Sequence, residues 1–417
     1  MKKLNFNLMF AGIMMFAGIM ATTLILSDQA MAGAKLEVDE TKWISLGIGA
    51  RSSFTTVENA AGNGSSRSKD FNLDNARIYI NGQIHKNIKF EFNTECFFCD
   101  NAALRNFDVL DAVGKFEISP MFNIWAGRLL VPSDRAEMSG PFYANTYEFN
   151  KTPFYPSDFS TTFGTNGAGV YGRDDGVNIW GSGPQGKLQY VFGVFNGLES
   201  SSTSGANQSD KLLFGVRIAY NFLTPEKNPG YYTSSTYYGN GGDIFTLAFA
   251  GQHQEEGSGT ILNPGDFSGM SVDMLFEKVL GNKNTVSGYN KYGGVVTIEA
   301  EYKVFDSDYN TAAFTDGGTC FCMFDGDAWT ATALYLFPQK TGVGQFQPYV
   351  RYTDVSPDSS SDRDELEVGV NYIISGHNAR IAAFYQSGDI ETKGLNYAPG
   401  VTGADVDTFQ IAFQLQF

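Results

Sequence analysis

The residues of this 417-residue chain best suited to chemistry are its four cysteines, which lie in two close pairs. Cys96 and Cys99 form a Cys-x-x-Cys pair, and Cys320 and Cys322 form a Cys-x-Cys pair. In an oxidising compartment such pairs favour disulfides, and four cysteines allow three connectivities. Free thiols and a four-cysteine metal site are the alternatives, although both oxidation and the Cys-x-Cys spacing disfavour a metal. No His follows either pair, so covalent c-type haem is not indicated.

The remaining motifs with catalytic or binding potential are weak. Of the three histidines, His85 and His377 fall in short turns, and His253 stands beside Glu255 and Glu256 as a weak metal or acid–base cluster. No spacing suggests a Ser-His-acid set. The segment 181–186 matches Gly-x-Gly-x-x-Gly, but it joins two alternating strands and no amphipathic helix follows, which indicates a hairpin turn. We therefore expect no enzymatic activity, no cofactor and no metal.

The composition excludes several classes of protein. Charged residues make up 18% of the chain and aromatic residues 14%, so the chain is poorer in charge and richer in aromatic side chains than an ordinary soluble domain. The 35 Phe and 21 Tyr also exclude a disordered chain. A net charge of -16 argues against nucleic-acid binding, which needs clustered Lys and Arg. Many Gly and Tyr residues indicate an all-β protein.

The first 32 residues have the pattern of a signal peptide. Lys2 and Lys3 precede an apolar stretch from Leu8 to Leu26, and Ala30-Met31-Ala32 supplies a small-x-small cleavage pattern. A membrane anchor is the alternative, because the apolar stretch is long for a signal peptide. We expect cleavage after residue 32, export, and one folded domain over residues 33–417, since no later apolar run is long enough for a membrane helix.

Sixteen segments with period-two hydrophobicity follow this stretch and predict β-strands. They lie near 44–51, 76–84, 88–95, 106–118, 121–131, 168–182, 187–196, 211–222, 243–254, 269–278, 294–305, 326–337, 344–354, 364–374, 378–387 and 406–417. Short links mostly alternate with long polar ones, although 223–242 and 279–293 are long links on the short side. A soluble β-sandwich is the alternative, but it rarely maintains such long alternating strands. The pattern predicts a transmembrane antiparallel β-barrel of about 16 strands, with short periplasmic turns and long extracellular loops.

In such a barrel the polar face of each strand lines a wet interior. On our strand register the interior carries eight basic and ten acidic positions, a near balance that predicts weak selectivity between cations and anions. The basic positions are Arg51, Arg77, Lys89, Lys115, Arg217, Lys303, Arg351 and Arg380. The acidic positions are Glu91, Glu95, Asp111, Glu117, Asp273, Glu277, Glu299, Glu301, Glu365 and Glu367.

Two stretches resemble the phosphate-selective porin O and P family of Gram-negative outer membranes. One runs from Asn75-Ala76-Arg77-Ile78 through Lys89-Phe90-Glu91-Phe92, and the other from Asp108 through Ile124-Trp125-Ala126-Gly127-Arg128 to Pro132. The resemblance implies a sixteen-stranded barrel, usually trimeric, that passes small anions. It also implies that the loop 132–167 folds inward and constricts the lumen, with Arg135, Glu137 and Lys151 as the candidate charges. The mixed signs of the interior charges depart from the family's cation-rich constriction.

We therefore expect an outer-membrane porin for passive diffusion of small hydrophilic solutes. Its expected partners are outer-membrane lipid, two further copies in a homotrimer, and the assembly machinery that recognises a terminal strand ending in Phe417. The first alternative is a barrel that sheathes a partner, such as a multihaem cytochrome in an electron conduit, which the cysteine pairs and the acidic charge suggest. The second is an outer-membrane hydrolase, which the histidine inventory disfavours.

Overall fold

The computed structural model describes the strands and most connections of the chain. It covers residues 34–97, 99, 106–149, 151–153, 155, 172–203, 205–281, 293–308, 324–390, 397, 400 and 402–417. The expected signal peptide, together with Cys320 and Cys322, lies outside these residues. Among the described residues, no helix is long and apolar enough to cross a membrane.

The described chain forms a closed antiparallel barrel of sixteen strands, which confirms the predicted fold class. A short strand, β1, precedes the ring, and the predicted segments correspond one by one to β2–β17. The strands are β1 Ala34–Asp39, β2 Lys42–Val57, β3 Asp70–His85, β4 Ile88–Phe97, β5 Asn106–Ser119, β6 Phe122–Leu130, β7 Arg173–Ser182, β8 Leu188–Phe195, β9 Leu213–Asn221, β10 Ile244–Gly259, β11 Pro264–Val279, β12 Val295–Asp306, β13 Gly326–Leu336, β14 Gln345–Pro357, β15 Arg363–Ser375, β16 Ala379–Gly388 and β17 Val406–Gln416.

Each strand from β2 onward pairs with its neighbour in sequence, and β17 pairs with β2 to close the ring. At this closing seam, β2 pairs with two strands, β1 and β17. The first half of β2 pairs with β1, with Ala34 opposite Leu46, and the second half pairs with β17, with Gln416 opposite Gly49. Every edge of β2 is therefore paired, which removes the open edge that would otherwise attract other strands.

Side chains alternate between the two faces of the wall, with apolar residues outside and polar residues inside. In β17, Phe409, Ile411, Phe413 and Leu415 are exposed on the outer face, whereas the glutamines at positions 410, 414 and 416 are buried inside. The opposite arrangement is found in soluble barrels, where the interior is apolar. An apolar outer face with a polar interior is the arrangement that lipid requires of a membrane-spanning barrel.

The two rims of the barrel differ in their connections. We call the rim that carries Phe417 the terminal rim and the other the long-loop rim. At the long-loop rim most connections are long, as expected, but 260–263 and 358–362 are tight. The strands β10 and β11 extend beyond the predicted segments because a bulge between Gln254 and Ser258 lets pairing continue through polar residues. At the terminal rim, 222–243 and 280–294 are the long exceptions among mostly short turns, as the sequence predicted.

The apolar outer face predicts that the cost of a charged substitution depends on its depth in the membrane. Val368, half-exposed near the middle of β15, should lose about 2–4 kcal/mol of unfolding free energy when replaced by Arg, because the charge would enter lipid. Val343→Arg is the matched control, since Val343 is exposed in a terminal-rim connection and should cost about 1 kcal/mol or less. Urea titration of protein refolded in lipid vesicles measures the unfolding free energy of both variants. Equal costs at the two positions would contradict the assignment of a lipid-facing belt.

Candidate functional site

The interior of the barrel is crossed by a segment that enters from the long-loop rim. We call residues 132–149, 151–153 and 155 the long-loop insert. It contains the only helix longer than one turn among the described residues, α1 (Arg135–Tyr143). Asp134 caps this helix by accepting a hydrogen bond from the Glu137 backbone N–H at 3.0 Å. Gly140, at φ 63°, breaks the helix immediately before Pro141 and redirects the chain across the barrel.

One end of the long-loop insert is held by a buried charge network around Arg135. The Arg135 guanidinium binds both carboxylate oxygens of Glu226, at 2.6 and 2.8 Å, and contacts Asp273 on β11 at 3.3 Å. Asp273 also binds Arg217 of β9 in a two-point ion pair. Each charge in this network is almost fully buried, so each depends on the opposite charges around it.

A second network lies beside the first on β11 and β12. Asp273 stands directly opposite Glu301 in the strand register, a like-charge pair that would be unfavourable if left alone. Lys303 contacts Glu301 at 3.2 Å and Asp134 of the long-loop insert at 2.8 Å. Thr152 of the same insert donates to Glu301 at 3.0 Å. The insert and its neighbours thus neutralise an acidic wall.

Another part of the wall, formed by β16, β17 and β2, carries two cations that contact no carboxylate among the described residues. Arg380 of β16 and Arg51 of β2 flank Gln414 of β17 in one row of the strand register. Arg380 donates to the backbone carbonyls of Ala144 at 2.7 Å and Thr146 at 3.1 Å. Arg51 donates to the Asn75 side chain at 2.6 Å and to a backbone carbonyl of the insert. Backbone dipoles, not carboxylates, therefore stabilise this cationic row.

Aromatic side chains fix the long-loop insert against this cationic wall. The Phe142 ring lies 5.0 Å from the Arg77 guanidinium, and the Tyr147 ring lies 4.0 Å from that of Arg51, both within cation–π range. Gly49 of β2 leaves the space that Phe142 occupies, because a Cβ there would come within 2.9 Å of the ring. The insert thus spans the interior from the acidic wall to the cationic wall.

A second segment enters the barrel from the opposite end. We call residues 222–243, between β9 and β10, the terminal-rim insert. Glu277 of β11 anchors it by accepting hydrogen bonds from Thr236 Oγ1 at 2.8 Å and from the backbone N–H groups of Tyr237 and Gly239 at 2.9 and 2.7 Å. Glu226 joins it to Arg135 of the long-loop insert. The sequence predicted a long connection here, but not its position inside the barrel.

His377 joins the two inserts to the wall. Its ring lies 5.2 Å from that of Tyr143 in the long-loop insert and 5.0 Å from that of Tyr238 in the terminal-rim insert. The Nε2 atom is 3.0 Å from the Thr236 carbonyl oxygen, which can only accept, so Nε2 carries the proton. Burial, together with the nearby charge of Arg380, lowers the pKa of His377 to about 3, which keeps the ring neutral.

Most of the charged residues predicted from the sequence lie on the inner face of the wall. Those that are buried there are Arg51, Arg77, Glu91, Glu95, Asp111, Lys115, Arg217, Asp273, Glu277, Glu299, Glu301, Lys303, Arg351, Glu365, Glu367 and Arg380. Lys89 is half-buried and pairs with Glu117 nearer the terminal rim. The predicted loop residues Arg135, Glu137 and Lys151 are buried inside the barrel, and Lys151 contacts Glu365 at 3.0 Å.

Neighbouring interior residues form pairs of opposite charge. Arg77 pairs with Glu95, Lys115 pairs with Glu91, and Arg351 pairs with Glu367 at 2.5 Å. Overall the described interior buries eleven basic and thirteen acidic side chains, so its charge is nearly balanced. Sequence reasoning did not single out Asp134, Arg173, Asp174, Glu226 and Arg363, which belong to this set.

The other sequence motifs lie away from these networks. Cys96 and Cys99 form a disulfide with each other at the long-loop end of β4. His253 is exposed on the outer face of β10 and contacts Ser268 Oγ at 2.9 Å, while Glu255 pairs with Lys211. The glycine-rich segment 181–186 is the turn between β7 and β8 and contains a short 3-10 helix, Pro184–Gly186. Among the described residues, no group of His, Cys, Asp or Glu side chains is arranged to hold a metal.

Comparison with solved structures identifies the architecture. An anion-selective porin from Comamonas acidovorans matches with a TM-score of 0.54 and 15% identity, over 90% of this chain and 100% of that one. OmpF of Salmonella typhi, in complex with daunomycin, matches with a TM-score of 0.54 and 13% identity, over 92% and 100%. The trimer form of in-vitro folded OmpT, an outer membrane protein of Vibrio cholerae, matches with a TM-score of 0.51 and 12% identity, over 91% and 100%.

The sequence matches no protein-family model and no curated protein. The structural likenesses, all at 15% identity or less, establish the fold alone. Together with the apolar outer face, they show that the chain has the fold of a sixteen-stranded transmembrane β-barrel, which these outer-membrane proteins share.

The buried Arg135 network predicts a specific response to acid. Burial would raise the pKa of Glu226, but the attraction of Arg135 outweighs it and lowers this pKa from 4.5 to about 2. A lowered carboxylate pKa stabilises the fold above the unfolded-state pKa, and this stabilisation is lost as the pH falls toward the folded-state value. Glu226→Gln should therefore cost about 3 kcal/mol of unfolding free energy at pH 7, and the difference from wild type should shrink between pH 4.5 and 2.

Urea unfolding of the refolded barrel across this pH range measures the effect. Glu255→Gln is the control, because the Lys211–Glu255 pair is exposed and should contribute about 1 kcal/mol or less. A cost at Glu226 that does not change with pH would contradict the charge network.

Proposed function

We propose that this chain is an outer-membrane channel for the passive diffusion of small hydrophilic solutes, with no catalytic step. The observation that carries the proposal is a wall that is apolar outside and charged inside, crossed by an insert from the long-loop rim. A barrel of sixteen strands is wide enough for an aqueous lumen. The structural likeness to the anion-selective porin of Comamonas acidovorans supports the same function. Discrete current steps from pure refolded protein in a planar bilayer are the direct test, and a silent protein would contradict the proposal.

We assign the constriction to the level where the long-loop insert meets the wall. On one side lie Asp273 of β11 and Glu301 of β12, which Arg135, Arg217 and Lys303 compensate. Arg51 of β2 lies nearly opposite β11 in the sixteen-strand ring, and Arg380 lies on β16. Because most charges at this level are compensated, it should give little preference for one sign of ion along the axis. We therefore propose weak ion selectivity, with phosphate or other anions among the solutes that pass.

The arrangement supports a channel more than a sheath around a partner such as a multihaem cytochrome. The two inserts occupy the middle of the barrel, which is the space that a sheathed protein would need. We further propose that the terminal rim faces the periplasm, that residues 1–32 are removed on export, and that three copies assemble. The trimer form of OmpT among the structural neighbours supports the last point.

Selectivity should depend on Arg51 and Arg380, two buried cations that contact no carboxylate within the described part of the barrel. Under a KCl gradient, we expect the wild-type reversal potential to indicate cation and anion permeabilities within a few-fold of each other. The double variant Arg51→Gln/Arg380→Gln should shift the potential toward cation preference, because two positive charges leave the narrow level. Arg67→Gln is the control, since Arg67 is exposed at the long-loop rim and should change little. A strongly anion-selective wild type with a saturable phosphate site would overturn the proposed weak selectivity.

Conductance should depend on the anchoring of the terminal-rim insert. Replacing Glu277 with Ala removes the acceptor of three hydrogen bonds from this insert. The insert should then be less firmly held, so that single-channel conductance rises and its fluctuations increase. Glu117→Ala, which breaks only the Lys89 pair, should leave the conductance within the spread of wild type. Unchanged conductance in Glu277→Ala, with normal folding, would show that this insert does not limit the path.

A further inference from the structure

A cavity of about 290 Å³ lies between the terminal-rim insert and the inner faces of β7–β9. Ser182 and Gly186, at the turn between β7 and β8, place one end of the cavity at the terminal rim. Arg135 places the other end at the centre of the barrel. This volume is at the lower limit of small-molecule sites, so it suits one ring-sized solute and not a chain of rings.

The charged groups in the lining are compensated. Arg135 is paired with Glu226 and Asp273, and Arg217 is paired with Asp273. Lys227 is the remaining cation of the lining, and it is exposed to solvent. A charged solute would therefore compete with ion pairs that are already formed. The lining favours a neutral solute.

Aromatic rings form one side of the cavity. Trp180 and Tyr231 line it, and both rings pack against Trp125, at centroid distances of 5.4 and 5.2 Å.

Side-chain amides complete the lining. Gln189 of β8 and Asn228 of the insert both line the cavity, and hydrogen bonds already orient both side chains. Gln189 donates to the Glu226 backbone carbonyl at 3.3 Å, and Asn228 accepts from the Tyr237 hydroxyl at 2.8 Å. Aromatic rings pack against C–H groups, while side-chain amides bond hydroxyls. The combination matches a neutral ring that has C–H faces and several hydroxyls at its edge.

We propose that this cavity binds a monosaccharide-sized neutral sugar against Trp180. The proposal deepens the proposed channel function by naming a solute class, and it rests on that function only for transport. Binding at equilibrium requires the cavity but not a conducting path. The two proposals can therefore fail separately.

Equilibrium dialysis of the refolded full-length barrel against radiolabelled D-glucose, D-galactose and D-xylose tests the site. We expect saturable retention of at least one sugar. Trp180→Ala should weaken retention about tenfold, since it removes the aromatic ring against which the sugar packs. Trp180→Phe should have a smaller effect, because it keeps an aromatic ring of smaller area. Trp329→Ala is the matched control, as Trp329 lies on the outer face of β13 and should leave retention unchanged.

If Trp180→Ala does not fold, Asn228→Ala on the insert takes its place and should weaken retention several-fold. Retention of none of the three sugars would overturn the proposal. Retention that survives both Trp180→Ala and Asn228→Ala would also overturn it. Saturable retention of phosphate or benzoate without any sugar would show an anion site instead. Sugar retention by a barrel that gives no current steps would leave this proposal standing and contradict the channel.

Discussion

The need to pair buried charge governs the interior of this barrel. A lipid-facing wall must carry its polar side chains inward, and here that places Asp273 directly opposite Glu301 on neighbouring strands. Two facing carboxylates at near-zero exposure are unfavourable without cations. Arg135, Arg217 and Lys303 supply them, and Arg135 comes from the long-loop insert. The insert is therefore required by the chemistry of the wall that it crosses, and it carries the candidate constriction with it.

The same requirement explains why the two inserts depend on each other. Arg135 carries one charge but contacts carboxylates from two sources, Asp273 on the wall and Glu226 on the terminal-rim insert. His377 provides a second connection between the inserts, because its neutral ring packs against one tyrosine from each of them. Removing one insert would leave buried groups of the other without partners. We therefore regard the inserts as one cooperative unit, in which movement at one rim changes the stability of the segment from the other.

The fold was largely predictable because lipid imposes period-two alternation on every strand. All sixteen predicted segments correspond to strands of the ring. The short strand β1 was not predicted, and the other errors lie at strand ends such as those of β10 and β11, where Glu255, Glu256 and Pro264 have loop character. The interior was less predictable. Asp134 had a detectable signal, because an Asp three residues before Glu137 is typical of a helix N-terminus. Glu226 and Tyr231 had none, since nothing local distinguishes a connection that folds inward from one that extends outward.

The seam between β2 and β17 constrains the order in which the barrel assembles. Every other pairing joins strands that are neighbours in sequence, whereas at the seam Arg67 reaches the backbone carbonyl of Asp407 across 340 residues. Closing so large a loop is the entropically costly step, so the local hairpins form more readily than the ring. Once the ring closes, however, its wall no longer opens sideways. Both inserts must therefore already be in place, or enter through the rims, when the last strand docks, which couples the order of assembly to the packing of the pore.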